Sequence, residues 1–336
     1  MATTFFINHG LSNSLPSVNE LRGILMNIIQ QVDKKFAYQR NFVVNTTWID
    51  HYADQLKSEY QQFGHIDNLF LVAPLDEMIT DVPLPDYPCN VIKIGSIIDD
   101  TQSHNNINFS SIIIDKIFKK YADDELILSN DPIPYLCYNN KPHRHRQRLV
   151  YELTNRNILD RGVVSLGPAE TYLYEGLTEL SAGDDNVVFH GDYPWRKEDA
   201  YSLGDMNIWR SCFLNVVNET GEASKYHITE KTFKPILGLR PFIINAHPYV
   251  TEYLKSKGFY TFDDYWNQWA SFDGINPYDI VRRCNTIADV VEGICRLSST
   301  EITNMYQDML PKLLHNKNRF RIHAQEQQQL LNTICT

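Results

Sequence analysis

The second half of the chain alternates short apolar runs with polar, helix-like stretches: IPYLCYN (133–139), VVSLG (163–167), VVFH (187–190), CFLNVV (212–217) and PFIINA (241–246). Runs this apolar need cover on both faces, and parallel neighbours need a crossover long enough to hold a helix. The alternation therefore predicts an α/β fold with a parallel, doubly wound sheet. FVVN near 42–45, LFLVAP at 69–74 and NVIKIGS at 90–96 predict a second set of buried strands. Residues 112–128, IIIDKIFKKYADDELIL, have helical spacing, and the Asp and two prolines of SNDPIP at 129–134 mark a boundary. After about 278 the chain reads as helical: YDIVRRCNTIADVVEGICRL, then STEITNMYQDMLPKLL, then a polar tail helix from about 318.

With 336 residues, 43% of them hydrophobic, the chain is long enough for two α/β domains with separate cores. The expected division is 1–130, 131–310 and a tail helix at 311–336. A net charge of −10 disfavours nonspecific duplex DNA binding, which draws on clustered cations that displace phosphate counterions. The six cysteines are scattered with no CxxC pair, so neither a zinc ribbon nor a disulfide framework is expected. The N-terminus, MATTFFINHGLSNSLP, lacks a basic stretch followed by an apolar one, and no segment approaches the ~20 apolar residues of a membrane span. A cytoplasmic protein without a membrane span is the expectation.

Chemistry concentrates in YHITEKTFKPILGLRPFIINAHP, 226–248. Thr229 is a natural N-cap, with Glu230 and Lys231 in the first turn of a helix just beyond the strand CFLNVV. A doubly wound sheet delivers such a strand to its carboxyl edge, where ligands bind. The helix N-terminus offers unpaired N–H groups and about half a positive charge, which favour phosphate; Lys231 adds a full cation. Glu230 suits the vicinal hydroxyls of a ribose. Pro235 predicts a kink or a one-turn start followed by a second segment. Gly238 is placed to stop the helix, and Arg240 before Pro241 to lead straight into PFII. The plain alternative is a capped helix with Glu230 and Lys231 in solvent.

A second constellation is IPYLCYNNKPHRHRQRLVYEL, 133–153. Arg146 stands with Leu149, Val150 and Leu153 on one helical face and so heads the apolar stripe. From there its planar fork is placed to grip a diphosphate. Arg144 and Arg148 share another face and read as a solvated helix start. His143 and His145 lack a carboxylate or cysteine partner, and no metal is assigned. The third stretch, CFLNVVNETGEASKYH (212–227), ends in Asn218, Glu219 and Tyr226, polar groups at a strand end that read either as a sugar site or as a turn.

Together these stretches resemble the α-1,3/1,4-fucosyltransferase family, whose donor motif runs aromatic-Glu-Asn-Ser, Tyr-Val-Thr-Glu-Lys, an aromatic, and a later Gly-x-x-Pro strand. Here the counterparts are VNET, HITEKTF and GLRPFII; upstream, the family's Asn, Arg and Leu-Val match Asn139, Arg146, Leu149 and Val150. The likeness covers about 133 to 265. It implies a GT-B fold of two Rossmann-like domains facing across a cleft with a C-terminal helical segment. It also implies a hexosyltransferase that moves sugar from a nucleoside-diphosphate sugar to a hydroxyl acceptor such as a glycan, with no cofactor. Arg146 and Lys231 then bind diphosphate and Glu230 ribose, with Asn139, Glu219, Tyr226 and Thr229 completing the donor site. Glu and Asn are exchanged in VNET, and Thr232 and Pro235 depart from the family pattern. TEKTFKPI is also similar to phage-encoded glycosyltransferases.

Inverting transfer needs a general base, for which Asp76 and Glu77, directly after LFLVAP, are the candidates. Taken singly, each reads more readily as a cap of the next helix. A metal-dependent GT-A enzyme is disfavoured because no DxD follows a strand. The alternatives are a DNA-base-modifying glycosyltransferase, with Lys312, Lys317, Arg319 and Arg321 touching the backbone, and a non-catalytic nucleotide- or glycan-binding protein.

Overall fold

In the computed structural model the described residues are 3–8, 40–45, 53–73, 85–95, 107–108, 115, 126–139, 141–180, 203–220 and 228–335. The chain falls into two compact units, one of residues 1–116, 226–229 and 322–336 and one of 117–225 and 230–321. The expected boundary near 130 is thus drawn earlier. Residues just before it are tied to the second unit: the Leu126 carbonyl accepts from Arg240 (2.6 Å) and the Ser129 amide donates to the Arg210 carbonyl (2.9 Å).

The first unit holds a parallel sheet of β1 (Thr3–Asn8), β2 (Arg40–Asn45), β3 (Asn68–Ala73), β4 (Asn90–Gly95) and β5 (Ile107–Asn108), paired in that order. Strand β1 was not anticipated from the sequence. Helix α1 (Ala53–Phe63) enters β3 and buries Leu56 and Tyr60, beside a strand whose Leu69, Phe70 and Leu71 are fully buried.

The second unit holds β6 (Ile133–Cys137), β7 (Val163–Val164), β8 (Cys212–Asn218) and β9 (Phe242–Asn245) in the order β7-β6-β8-β9, all parallel. The chain goes from β6 to one flank at β7 and then to the other at β8, so β6 and β8 frame the sheet's topological switch point. The expected strand 163–167 is shorter, because Leu166 leaves to bridge Leu180 in antiparallel fashion. The expected strand at 187–190 and most of the helix at 112–128 lie outside the described residues. Helices α2 (Arg144–Asn155), α3 (Met206–Ser211), α4 (Glu230–Leu237), α5 (Tyr249–Ser256), α6 (Asp263–Trp266), α7 (Ile280–Cys295) and α8 (Ser299–Cys335) complete the described elements. Helix α2 buries Leu149, Val150 and Leu153 in its predicted stripe and packs on α7, whose Ile287, Val290, Val291 and Ile294 are buried.

Two prolines depart from expectation. Helix α4 continues through Pro235 as one helix, and α8 continues through Pro311 instead of dividing into a helix and a separate tail. Buried Phe233, Ile236 and Leu237 hold α4, and Met309, Leu313 and Phe320 anchor α8 on both sides of its proline. Tertiary burial here outweighs a local defect of about 3 kcal/mol. Gly238 also serves another purpose than the one expected. Leu239 takes the left-handed conformation after α4 (φ 52°), with the Arg240 amide donating to the Pro235 carbonyl at 2.9 Å. Gly238 instead admits Trp209: a Cβ there would collide with the indole, whose Nε1 donates to the Gly238 carbonyl at 2.9 Å.

Cys137, Cys212, Cys284 and Cys295 are buried free thiols. Burial pushes their pKa up from 9.0, to about 11 for Cys137 and Cys295 and about 12 for Cys212 and Cys284. A raised thiol keeps its proton in the fold after the unfolded chain has lost its own, so the stability these groups carry is complete below about pH 9. It is lost as pH climbs through 11 to 12. Urea midpoints measured from pH 8 to 11 should stay level to about 9 and then fall; a level profile throughout would contradict the burial.

Candidate functional site

The site is assembled at the carboxyl edge of the second sheet. Beyond β6 the chain turns through Pro142 into α2, whose first turn carries His145 and Arg146, both buried. The Arg146 guanidinium donates through one terminal nitrogen to the Lys141 carbonyl (3.0 Å) and through the other to the Asn218 carbonyl (3.2 Å). His145 Nε2 lies 2.7 Å from the Glu219 carbonyl, which only accepts, so this nitrogen carries the proton. Gln147 accepts from the Leu173 amide and donates to the Pro142 carbonyl, both at 2.6 Å, and so pins the loop after β7 to the same helix start.

Helix α4 reaches the same place from the other side. Thr232, in its first turn, donates to the Glu219 carboxylate at 2.6 Å. The openings of α2 and α4 therefore converge on one dipeptide, Asn218–Glu219, at the end of β8. Each opening is the positive end of a helix dipole, and together they favour an anion at this edge. Glu219, fully buried, places its carboxyl group there. Lys231 and Glu230 form an ion pair at 2.6 Å, with the lysine side chain 27% exposed and the glutamate 8%. Lys231 is the cation that solvent reaches; Arg146, at 3% exposure, lies beneath the surface.

Beneath the dipeptide runs a ladder of buried amides in sheet order. Arg283 Nε donates to Asn245 Oδ1 (3.0 Å), Asn245 Nδ2 to Asn218 Oδ1 (2.7 Å), Asn218 Nδ2 to Asn139 Oδ1 (2.9 Å), and Asn139 Nδ2 to the Ser165 carbonyl (2.9 Å). Asn245 and Asn218 end their strands; Asn139 and Ser165 follow β6 and β7. The second amide proton of each asparagine meets a thiol sulfur: Cys137 for Asn139 (3.4 Å) and Asn218 (3.3 Å), Cys284 for Asn245 (3.6 Å). Asn139 is thus committed to the sheet edge through both amide protons.

Of the other residues expected at a site, Asp76, Glu77 and Tyr226 lie outside the described residues. Thr229 immediately precedes α4 and is buried. Arg144 is exposed, as expected. Arg148 is not simply solvated: it pairs with Glu152 and lies over the rings of Tyr151 and Tyr174, 5.5 Å from each centroid. The His143 and His145 rings stack at 6.1 Å, and among the described residues no group of three or more His, Cys, Asp or Glu is arranged to hold a metal ion. Three of the four tail cations are engaged within the protein, while Arg321 is exposed. Lys317 is 3% exposed, Lys312 sits over Tyr265 at 4.6 Å, and Arg319 donates to the Lys257 carbonyl at 2.6 Å. Among the described residues no helix is long and apolar enough to cross a membrane.

Asn245 and Arg283 were not found from the sequence. The available signal was the repeated asparagine at strand ends, in LCYN, NVVN and FIIN. Fold and site define a mixed α/β protein with parallel, Rossmann-like sheets and an anion-favouring carboxyl edge at the switch point of the second sheet. Compared with protein-family models, curated proteins and solved structures, the chain matches none.

Proposed function

We propose that this chain is a glycosyltransferase of GT-B organisation that takes its sugar from a nucleoside-diphosphate donor and transfers it to a hydroxyl acceptor such as a glycan. The observation that carries the reading is the convergence of two helix openings, one bearing Arg146 and the other Glu230 and Lys231, on the Asn218–Glu219 dipeptide. Transfer leaves a diphosphate whose charge grows as the sugar gains oxocarbenium character, and fixed cations and helix N-termini are suited to stabilise it. In this reading Lys231 turns from Glu230 to the diphosphate, and Glu230 accepts from the ribose hydroxyls. Arg146 supplies positive charge from below. Asp76 and Glu77, in the chain just after β3, are the proposed source of the general base for an inverting reaction.

A thermal-shift screen with guanosine, uridine, cytidine and adenosine diphosphates and their sugars tests this. A ligand present at a hundred times its Kd stabilises by about 2.7 kcal/mol, a shift of several degrees. One nucleotide class should stand out, and Lys231→Ala should abolish its shift. No shift with any nucleotide, or one indifferent to Lys231→Ala, would overturn the proposal.

A further inference from the structure

The amide ladder has a direction. At one end stands Arg283 Nε, which can only donate; at the other stands the Ser165 carbonyl, which can only accept. Every amide between them is thereby fixed in orientation, because flipping one would break two bonds. A cation at the donor end polarises the chain of amides in the same sense. Arg283 is itself anchored, donating to the Pro277 carbonyl at 2.7 Å, and is 2% exposed.

The ladder meets the candidate site at Asn218. Both polar ends of that side chain are held, its oxygen by Asn245 and its nitrogen by Asn139, so its backbone carbonyl has a set height and direction. That carbonyl accepts from Arg146, and the next residue takes His145 on its carbonyl and Thr232 on its carboxylate. Asn245 of β9 and Arg283 of α7 are thus linked through Asn218 to the Arg146 guanidinium, although neither is among the groups assigned to the donor.

We propose that Asn245 and Arg283 are positioning residues for the phosphate-binding Arg146, acting through Asn218, whose carbonyl the Arg146 guanidinium meets. This rests on the nucleotide-sugar reading above. A ladder that merely holds the sheet together would affect stability alone. A ladder that sets Arg146 affects recognition of the phosphates and leaves recognition of the nucleoside, assigned to Glu230 on α4, untouched.

The experiment compares Kd for the nucleoside diphosphate found in the screen with Kd for its unphosphorylated nucleoside, by titration calorimetry at a temperature where each variant is folded. For Asn245→Ala and Arg283→Met the diphosphate should bind about tenfold more weakly, with nucleoside affinity unchanged. Arg283→Lys, which keeps a cationic donor but loses the fork, should fall between these and wild type. It also serves as the milder variant should the others fail to fold. Without any ligand, the Arg146 side-chain 15N resonance should shift in Arg283→Lys. Variants with wild-type diphosphate affinity and an unmoved Arg146 resonance, or with equal losses for diphosphate and nucleoside, would overturn the inference. A wild-type protein that binds none of the diphosphates would instead overturn the glycosyltransferase reading, and this inference with it.

Discussion

Arg240→Met is expected to lower the melting temperature by roughly 10 °C. Arg240 is 1% exposed. Its guanidinium donates to the carbonyls of Trp209 (2.9 and 3.1 Å), Leu126 (2.6 Å), Leu239 (2.9 Å) and Gly238 (3.4 Å) and lies over the Tyr306 ring at 5.7 Å. One side chain thus ties together the approach to β6, the end of α3, the exit of α4 and helix α8. Methionine fills comparable volume but donates nothing, so several buried carbonyls lose their partners at about 1–3 kcal/mol each, partly recovered by relaxation. A net loss of roughly 3–5 kcal/mol is the outcome.

Burial lowers the Arg240 pKa to about 10, well below the ordinary guanidinium range, with Tyr306 and Cys212 opposing the fall. Below pH 10 both folded and unfolded states carry the proton, so the effect of Arg240→Met should not vary with pH there. Above about pH 10 the folded state binds less proton than the unfolded one, so this group favours the fold as pH rises, against the trend of the thiols. Arg240→Lys keeps charge but offers three donors from one point, and should recover only part of the loss. Thermal unfolding checks both variants; an Arg240→Met protein melting within about 2 °C of wild type would show the carbonyl cage to be unimportant.

What the sequence disclosed followed from period and order. Alternating apolar runs located β2, β3, β4, β6, β8 and β9, and the stripe Arg146, Leu149, Val150, Leu153 located the buried face of α2. What it hid depended on partners far along the chain. Asn218 and Asn245 read locally as strand ends before turns; only their alignment in adjacent parallel strands makes them a ladder, and Arg283 joins from a helix 38 residues beyond Asn245. Gly238 reads as a helix stop until Trp209 is seen against it. The order Asn218–Glu219 likewise has a physical sense that the local sequence does not show: Asn218 joins the ladder and Glu219 accepts from Thr232.

Lys231→Ala is expected to slow the proposed sugar transfer by about a hundredfold, the loss typical of removing one group that stabilises charge developing in a transition state. The lysine is partly exposed and pairs with the adjacent Glu230, so the fold should survive with little change in melting temperature. Arg146→Ala should slow transfer by a similar factor but also lower stability, because the Lys141 and Asn218 carbonyls lose a buried donor. Separating the two effects requires Arg146→Lys, which keeps the charge but has no fork to bridge both carbonyls. If Arg146 acts through its charge, Arg146→Lys retains much of the rate; if it acts by joining the start of α2 to the end of β8, Arg146→Lys is as slow as Arg146→Ala. Steady-state rates with the donor identified by the thermal screen decide between these outcomes. Turnover unchanged in both alanine variants would remove the electrostatic basis of the proposed transfer.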